Sequence, residues 1–202
     1  MTKSATHSRA STAAGTDTSA SRVPNSISVV EYKQMRFLIF DAPSNRTLDA
    51  YLAEMARHNV TDLVRVCDPT YDRKIVEGKG IAVHDWPFPD GDPPPDSVIE
   101  NWLSLVYTRF GVLKEKGKDG ACPGTPAPET SIAVHCVAGL GRAPILVAMA
   151  LIEAGLAPLD SVIYVRERRR GAINARQLKF IEGYKRRGLG KSSGKEKGCT
   201  VS

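Results

Sequence analysis

Ile132-Ala133-Val134-His135-Cys136-Val137-Ala138-Gly139-Leu140-Gly141-Arg142-Ala143-Pro144-Ile145-Leu146-Val147 is the stretch on which the reading of this chain turns. Ile132 to His135 is a short, mostly apolar run, the pattern of a buried strand. Arg142 to about Glu153 is apolar nearly all round and reads as a buried helix. Between them lie only Cys136 and five residues, two of them Gly. A buried strand that passes through a tight Gly-bearing turn into a buried helix is a building unit of α/β folds. In such folds, sites form beyond the carboxyl ends of the strands.

The flanking sequence repeats the alternation. Ile27–Val30, Met35–Phe40, Leu63–Cys67 and Ile81–His84 read as strands. A helix capped by Asn45 or Thr47 is predicted to about His58, because Leu48, Tyr51, Leu52 and Met55 fall on one face. Further helices are predicted over 96–114, 158–170 and 174–186, the last opening with Asn174 and Gln177 as a variant capping box. The expected fold class is α/β, a central, largely parallel sheet flanked by helices. Within the 202 residues, 26–187 form the domain. Residues 1–25, rich in Ser, Thr and Ala, are expected to be a disordered extension. Residues 115–130, with six Gly or Pro, read as a long surface loop, and 188–202 as a flexible basic tail.

The longest apolar run, Ile145–Ile152, is far shorter than the ~20 residues a bilayer span needs. No apolar stretch near the start suggests a secretory leader. Net charge is +6, but residues 166–202 carry +9 and the rest −3. A basic tail on a slightly acidic body points to an anionic partner. Nucleic acid is discounted, since few aromatic residues interleave the basic ones and no binding motif is present. The four cysteines, Cys67, Cys122, Cys136 and Cys199, show no metal-ligand spacing, and neither metal nor cofactor is expected.

The turn carries the chemistry. Backbone N–H groups of Val137, Ala138, Gly139, Leu140 and Gly141, with the positive end of the following helix, can cradle an anion. Arg142 adds a planar fork matched to two phosphate oxygens. A cysteine in that field is favoured as the thiolate, the nucleophilic form. Attack of Cys136 on phosphorus would give a phosphocysteine that water hydrolyses. Cys-x5-Arg alone is a weak signal; the strand before it and the apolar helix after it make it informative. The leaving oxygen needs a proton. Trp86-Pro87-Phe88-Pro89-Asp90-Gly91-Asp92 follows the strand 81–84, so it too lies at the carboxyl edge. Asp90 is the expected acid, kept protonated by partial burial on an apolar floor of Trp86 and Phe88. Asp85 and Asp92 compete for that role.

The HCxxGxxR signature with the upstream Trp-Pro-Phe-x-Asp-Gly loop resembles the protein tyrosine phosphatase superfamily. Within it, Val134–Pro144, Leu63–Cys67, Trp102–Val106 and Arg169–Ala172 are similar to the phosphatase of regenerating liver (PRL) family over about residues 26–202. The resemblance implies a dual-specificity-like fold and slow hydrolysis of phosphoprotein substrates. It makes Cys136 the nucleophile, Arg142 the phosphate clamp and Asp90 the general acid, with Cys67 the partner of Cys136 in a reversible disulfide. Ala143 stands where most of the superfamily has Ser or Thr, and Pro89 where the family typically has a second acid. Gln177 is either a helix-capping residue or, as in related phosphatases, one that positions water; the two roles are compatible. Cys122 is expected to be an exposed spectator.

The final Cys199-Thr200-Val201-Ser202 resembles a farnesylation box. One lipid chain holds weakly, and the preceding basic residues supply the second attraction to an anionic membrane. The expected location is the cytoplasmic side of the plasma membrane or endomembranes, with a soluble pool. Two other functions stay open: a phosphatase-like module that binds a membrane magnesium-transport mediator, and a phosphoinositide phosphatase. The apolar Val137, Ala138 and Leu140 argue against the highly charged substrates of the latter. A homo-oligomer is also compatible with the sequence.

Overall fold

A computed structural model of the chain describes residues 27–111 and 130–188. The N-terminal extension, Cys122 and nearly all of its loop, and the tail with Cys199 lie outside the described residues.

Ser131–His135 forms β5, and every one of its residues is buried, so it needs partners on both edges and cover on both faces. β2 (Met35–Phe40) and β3 (Val60–Arg65) flank it in parallel, and β4 (Ala82–Asp85) adds to β3 in parallel. β1 (Ser28–Tyr32) closes the other edge as an antiparallel hairpin partner of β2, giving the order β1-β2-β5-β3-β4. The largely parallel α/β sheet expected from the sequence is the one observed.

Alternation along the strands separates two cores. Leu38, Phe40, Leu63, Val83 and Ala133 pack with α1 (Leu48–Arg57) and the short α2 (Arg73–Glu77). Phe37, Ile39, Val64, Ile132 and Val134 pack with α3 (Asp96–Phe110), α4 (Arg142–Glu153), α5 (Pro158–Arg168) and α6 (Ala175–Gly183). Every residue of α4 is buried, as its all-round apolar sequence demands. Trp102 of α3 donates its indole N–H to the Leu146 carbonyl, 2.7 Å away, and so fixes α3 on α4.

Element limits shift where side chains in sequence were silent. α3 stops at Phe110 rather than Lys114 because Gly111 turns to φ 76°, a left-handed position that ends the helix. β3 begins at Val60, where pairing with Ser131 starts, and ends before Cys67, which lies beyond the strand but within the core. α2 was not foreseen; Asp72 caps it through the Lys74 N–H, and Arg73 pairs with Glu77 one turn on. Thr47 is the cap position of α1, but its hydroxyl bonds Ser44 rather than the helix. α6 has both bonds of the expected capping box.

Asp62 ties three elements together. Its fully buried carboxylate accepts from Arg109 on α3 (2.6 and 3.0 Å), His84 on β4 (2.9 Å) and Thr61 (2.7 Å). Burial alone would push this carboxyl up, but the bonds from His84, Arg109 and Thr61 outweigh it and bring it down to about 2. A depressed carboxyl stabilises the fold above its unfolded value, and that contribution is lost as pH falls toward 2. Asp62→Asn should therefore cost about 2 kcal/mol at neutral pH. In denaturant unfolding the gap from the unsubstituted chain should shrink as pH is lowered below about 4.

Candidate active site

The turn between β5 and α4 is shaped by where its carbonyls go. Val137 O accepts from Ala42 N (2.9 Å), Leu140 O from Ile173 N (2.7 Å), and Gly141 O from Ile145 N (3.2 Å). Gly139 O and Ala138 O accept from Nε and Nη2 of Arg169, at 2.5 and 3.2 Å. Cys136 O lies 3.3 Å from His135 Nδ1. With its carbonyls held outward, the turn faces inward with N–H groups, and no acceptor among the described residues takes up those of Val137 through Arg142. Gly139 makes this possible: it sits at φ 67°, and a Cβ there would collide with the Phe40 carbonyl and the Arg169 guanidinium.

Arg142, at the first position of α4, is buried. Its Nη1 donates to Phe88 O (3.0 Å) and Val66 O (3.2 Å), which fixes the plane of the guanidinium. Its Nε is buried and makes no hydrogen bond. A buried, oriented donor without an acceptor, beside inward N–H groups and the positive end of a helix, is a site made for an oxyanion. Cys136 is buried at the base of this cradle, at 2% exposure.

Behind Cys136 runs a buried polar chain. The Tyr71 hydroxyl and His135 Nε2 are 2.6 Å apart. Burial pushes His135 down to about 4 and Tyr71 up, so both are neutral at physiological pH. The Tyr71 O–H then donates to Nε2, which leaves the ring proton on Nδ1, toward Cys136 O. Arg65 donates to Tyr71 O (2.9 Å) and forks onto Asp85 (2.5 and 2.8 Å). Hydrogen bonding to Arg65 holds the Asp85 carboxyl below the usual range, against the effect of its burial. Asp85 is thus a structural anion, not an acid in reserve.

The other carboxylates separate equally clearly. Asp92 pairs with Arg176 on the surface. Asp90 alone reaches the cradle, with Oδ1 3.0 Å from Arg142 Nε. That N–H is not aimed at it, so the contact is an ion pair without a hydrogen bond. The expected burial of Asp90 is corrected: its side chain is 77% exposed, because Pro89 and Asp90 stand out from the loop while only Phe88 enters the core. Trp86 is half-buried against His84. Among the described residues, no group of three or more His, Cys, Asp or Glu could hold a metal.

Cys67 is placed beside Cys136 by the sheet. Val66 N donates to His135 O (3.1 Å), so the segments beyond β3 and β5 continue side by side. Both cysteines are buried free thiols, and burial pushes Cys67 up to about 11. Gln177 is fully buried with both ends engaged: its oxygen accepts from Asn174 N (3.2 Å) and its nitrogen donates to Asp92 O (3.1 Å).

No family model matches the chain. Relatives do. A probable protein tyrosine phosphatase type IVA A of Dictyostelium discoideum is 47% identical over 165 residues, covering 82% of this chain and 91% of the relative. Protein tyrosine phosphatase type IVA 3 of Homo sapiens is 48% identical over 156 residues, 77% and 82% of the two chains. The chain belongs to the protein tyrosine phosphatase type IVA, or PRL, family. It is a cysteine-based protein tyrosine phosphatase. A solved structure described as a putative protein tyrosine phosphatase from Leishmania major superposes with a TM-score of 0.65 at 44% identity, covering 79% of this chain and 99% of that one. Kinase associated phosphatase, at 16% identity and TM-score 0.58 over 77% and 91% of the chains, shares the fold.

In this type IVA phosphatase, sequence reasoning missed Arg169. It stands inside the run Arg168-Arg169-Arg170, which reads as a solvated face, yet it is 8% exposed. The signal was its spacing from Val162 and Val165, the buried apolar positions of α5. Burial pulls its guanidinium below the ordinary value, and it donates Nε and Nη2 to the turn carbonyls and Nη1 to Ser28 Oγ and Ile39 O. Arg169→Lys keeps the charge but loses the fork. The turn should loosen, and kcat/KM on an aryl phosphate should fall roughly 100-fold while circular dichroism shows the fold retained.

Proposed function

We propose that Cys136 is the nucleophile, Arg142 and the N–H groups of Val137 through Arg142 the phosphoryl cradle, and Asp90 the general acid. The buried Nε of Arg142, which makes no hydrogen bond and has only the exposed Asp90 carboxylate beside it, carries this reading. A phosphoryl group of a phosphoprotein binds with its oxygens on these donors, and Cys136 Sγ attacks phosphorus opposite the leaving oxygen. Asp90 hands that oxygen a proton. Water then hydrolyses the phosphocysteine, with Gln177, which lies beside Gly141, as the residue proposed to position it. Ala143 is buried at the second position of α4 and offers no hydroxyl to the departing thiolate, which supports slow hydrolysis. Cys136→Ser should abolish turnover. Asp90→Ala should lower kcat/KM about 10²- to 10⁴-fold for poor leaving groups and far less for activated aryl phosphates. Retained turnover in Cys136→Ser would overturn the assignment.

The juxtaposition of Cys67 with Cys136 supports a reversible disulfide as the protective state of the nucleophile. Peroxide should inactivate the enzyme with loss of both thiols, and dithiothreitol should restore it. In Cys67→Ser the loss should become irreversible, because no second thiol intercepts the oxidised Cys136.

Two second readings have their own support. The buried Ala143, by slowing release of the nucleophile, favours a role as a binding module for a membrane magnesium-transport mediator. A surface depression of about 740 Å³ beside Val137 and Leu140, lined by three arginines, Arg168 to Arg170, against one acid, Asp41, favours an anionic substrate flank such as a phosphoinositide. Parallel assay of a phosphotyrosyl peptide and a short-chain phosphoinositide decides the latter. No described helix is long and apolar enough to cross a membrane. Attachment to the cytoplasmic face of a membrane is proposed through farnesyl on Cys199 and the basic tail. Vesicle flotation should need both the lipid and anionic headgroups.

A further inference from the structure

The first turn of α6 grips the acid loop with three side chains. Asn174 Nδ2 donates to Gly91 O (3.1 Å) and Gln177 Nε2 to Asp92 O (3.1 Å), while Arg176 Nη1 pairs with the Asp92 carboxylate. The same two amides also cap the helix: Asn174 Oδ1 accepts from Gln177 N (2.9 Å), and Gln177 Oε1 from Asn174 N (3.2 Å). Each amide therefore spends its oxygen on the helix and its nitrogen on the loop. The commoner Ser/Thr and Glu capping pair could cap the helix as well, but its carboxylate has no N–H to give the loop.

The gripped residues, Gly91 and Asp92, directly follow Asp90, and Gly91 sits at φ 77° where the chain turns. On the near side, Phe88 O is held by Arg142. Asp90 is thus an exposed carboxyl suspended between two fastened points. Apart from its ion pair with Arg142, its own side chain has little packing to place it.

We infer that Asn174 and Arg176 are positioning residues that latch the acid loop over the cradle, so that the first turn of α6 sets how often Asp90 is in place to donate its proton. The latch rests on the reading of Asp90 as the acid. Asp92, whose carboxylate competed for that role on sequence, is instead the loop's half of the latch. The ion pair lies at the surface, where such pairs contribute modestly and are screened by salt. The amide contacts, one of them from the fully buried Gln177, are the less salt-sensitive part.

The test separates capping from latching. Asn174→Asp keeps the oxygen that caps α6 and removes the donor to Gly91 O. Arg176→Ala removes the ion pair alone. kcat/KM is the quantity to read, since it reports transfer to Cys136 however slow the later hydrolysis. For a phosphomonoester with a poor leaving group, Asn174→Asp should lower it about three- to ten-fold and Arg176→Ala about two- to five-fold, less at high salt. For an activated aryl phosphate both should change it less than about two-fold, because that leaving group needs no acid. The exchanged pair Asp92→Arg with Arg176→Asp should recover the loss. In an Asp90→Ala background neither variant should cost more. Equal losses on both substrates, or additive losses in that background, would overturn the latch. If Asp90→Ala itself shows no leaving-group dependence, the acid assignment fails on its own account. Hydrogen exchange at the Asp90, Gly91 and Asp92 amides then decides the latch, which predicts faster exchange in both variants; unchanged exchange refutes it.

Discussion

The outward pull on the carbonyls of Cys136 through Gly141 is the constraint on which the rest depends. A six-residue turn has as many acceptors as donors, and left to itself its two sets of dipoles would largely cancel. Here each carbonyl is claimed from outside: by Ala42 after β2, by Arg169 after α5, by Ile173 before α6, by His135, and by the first turn of α4. The N–H groups are left facing one point, and the positive end of α4 adds to them. Donors already fixed by the fold need little reorganisation to meet an anion, which is what makes a preorganised cradle effective.

This arrangement explains why so much of the fold converges on one sheet edge. β2, β3 and β5 end there in parallel, so the segments that follow them lie side by side. Cys67 and Cys136 become neighbours for that reason, and Ala42 can reach Val137. Arg142 joins the cradle to the segment after β3 and to the acid loop through one guanidinium. A buried cation that holds two carbonyls with one nitrogen, and whose Nε makes no hydrogen bond, has its geometry set before any substrate arrives.

The buried polar groups show how charge is managed around a site meant to receive more of it. His135 and Tyr71 are neutral because burial penalises their charged forms. Arg65 keeps its charge, but Asp85 answers it with two hydrogen bonds. Arg169 is charged and buried, with backbone carbonyls as its partners in the turn. The acid loop is treated differently. It carries an exposed carboxylate and is restrained at its backbone, so that it is placed from outside rather than packed from within.

By itself, the sequence determined the α/β alternation, the buried strand and helix on either side of Cys136, the pairing of Cys136 with Arg142 in one turn, and the capping box at Asn174 and Gln177. These are local patterns: hydrophobic period and residue spacing act over a few positions, and a short turn cannot carry its residues far apart. Only the tertiary structure set Asp90 beside Arg142 and gave Asp85 and Asp92 other partners, picked Arg169 out of three consecutive arginines, and gave the capping amides their second use on the loop that carries Asp90. Each of those depends on a partner far away in the chain: Arg65 for Asp85, Arg142 for Asp90, Gly139 for Arg169, Gly91 for Asn174. A carboxylate's role is set by the charge that faces it, and in this fold the facing charge comes from another element of the sheet or its helices.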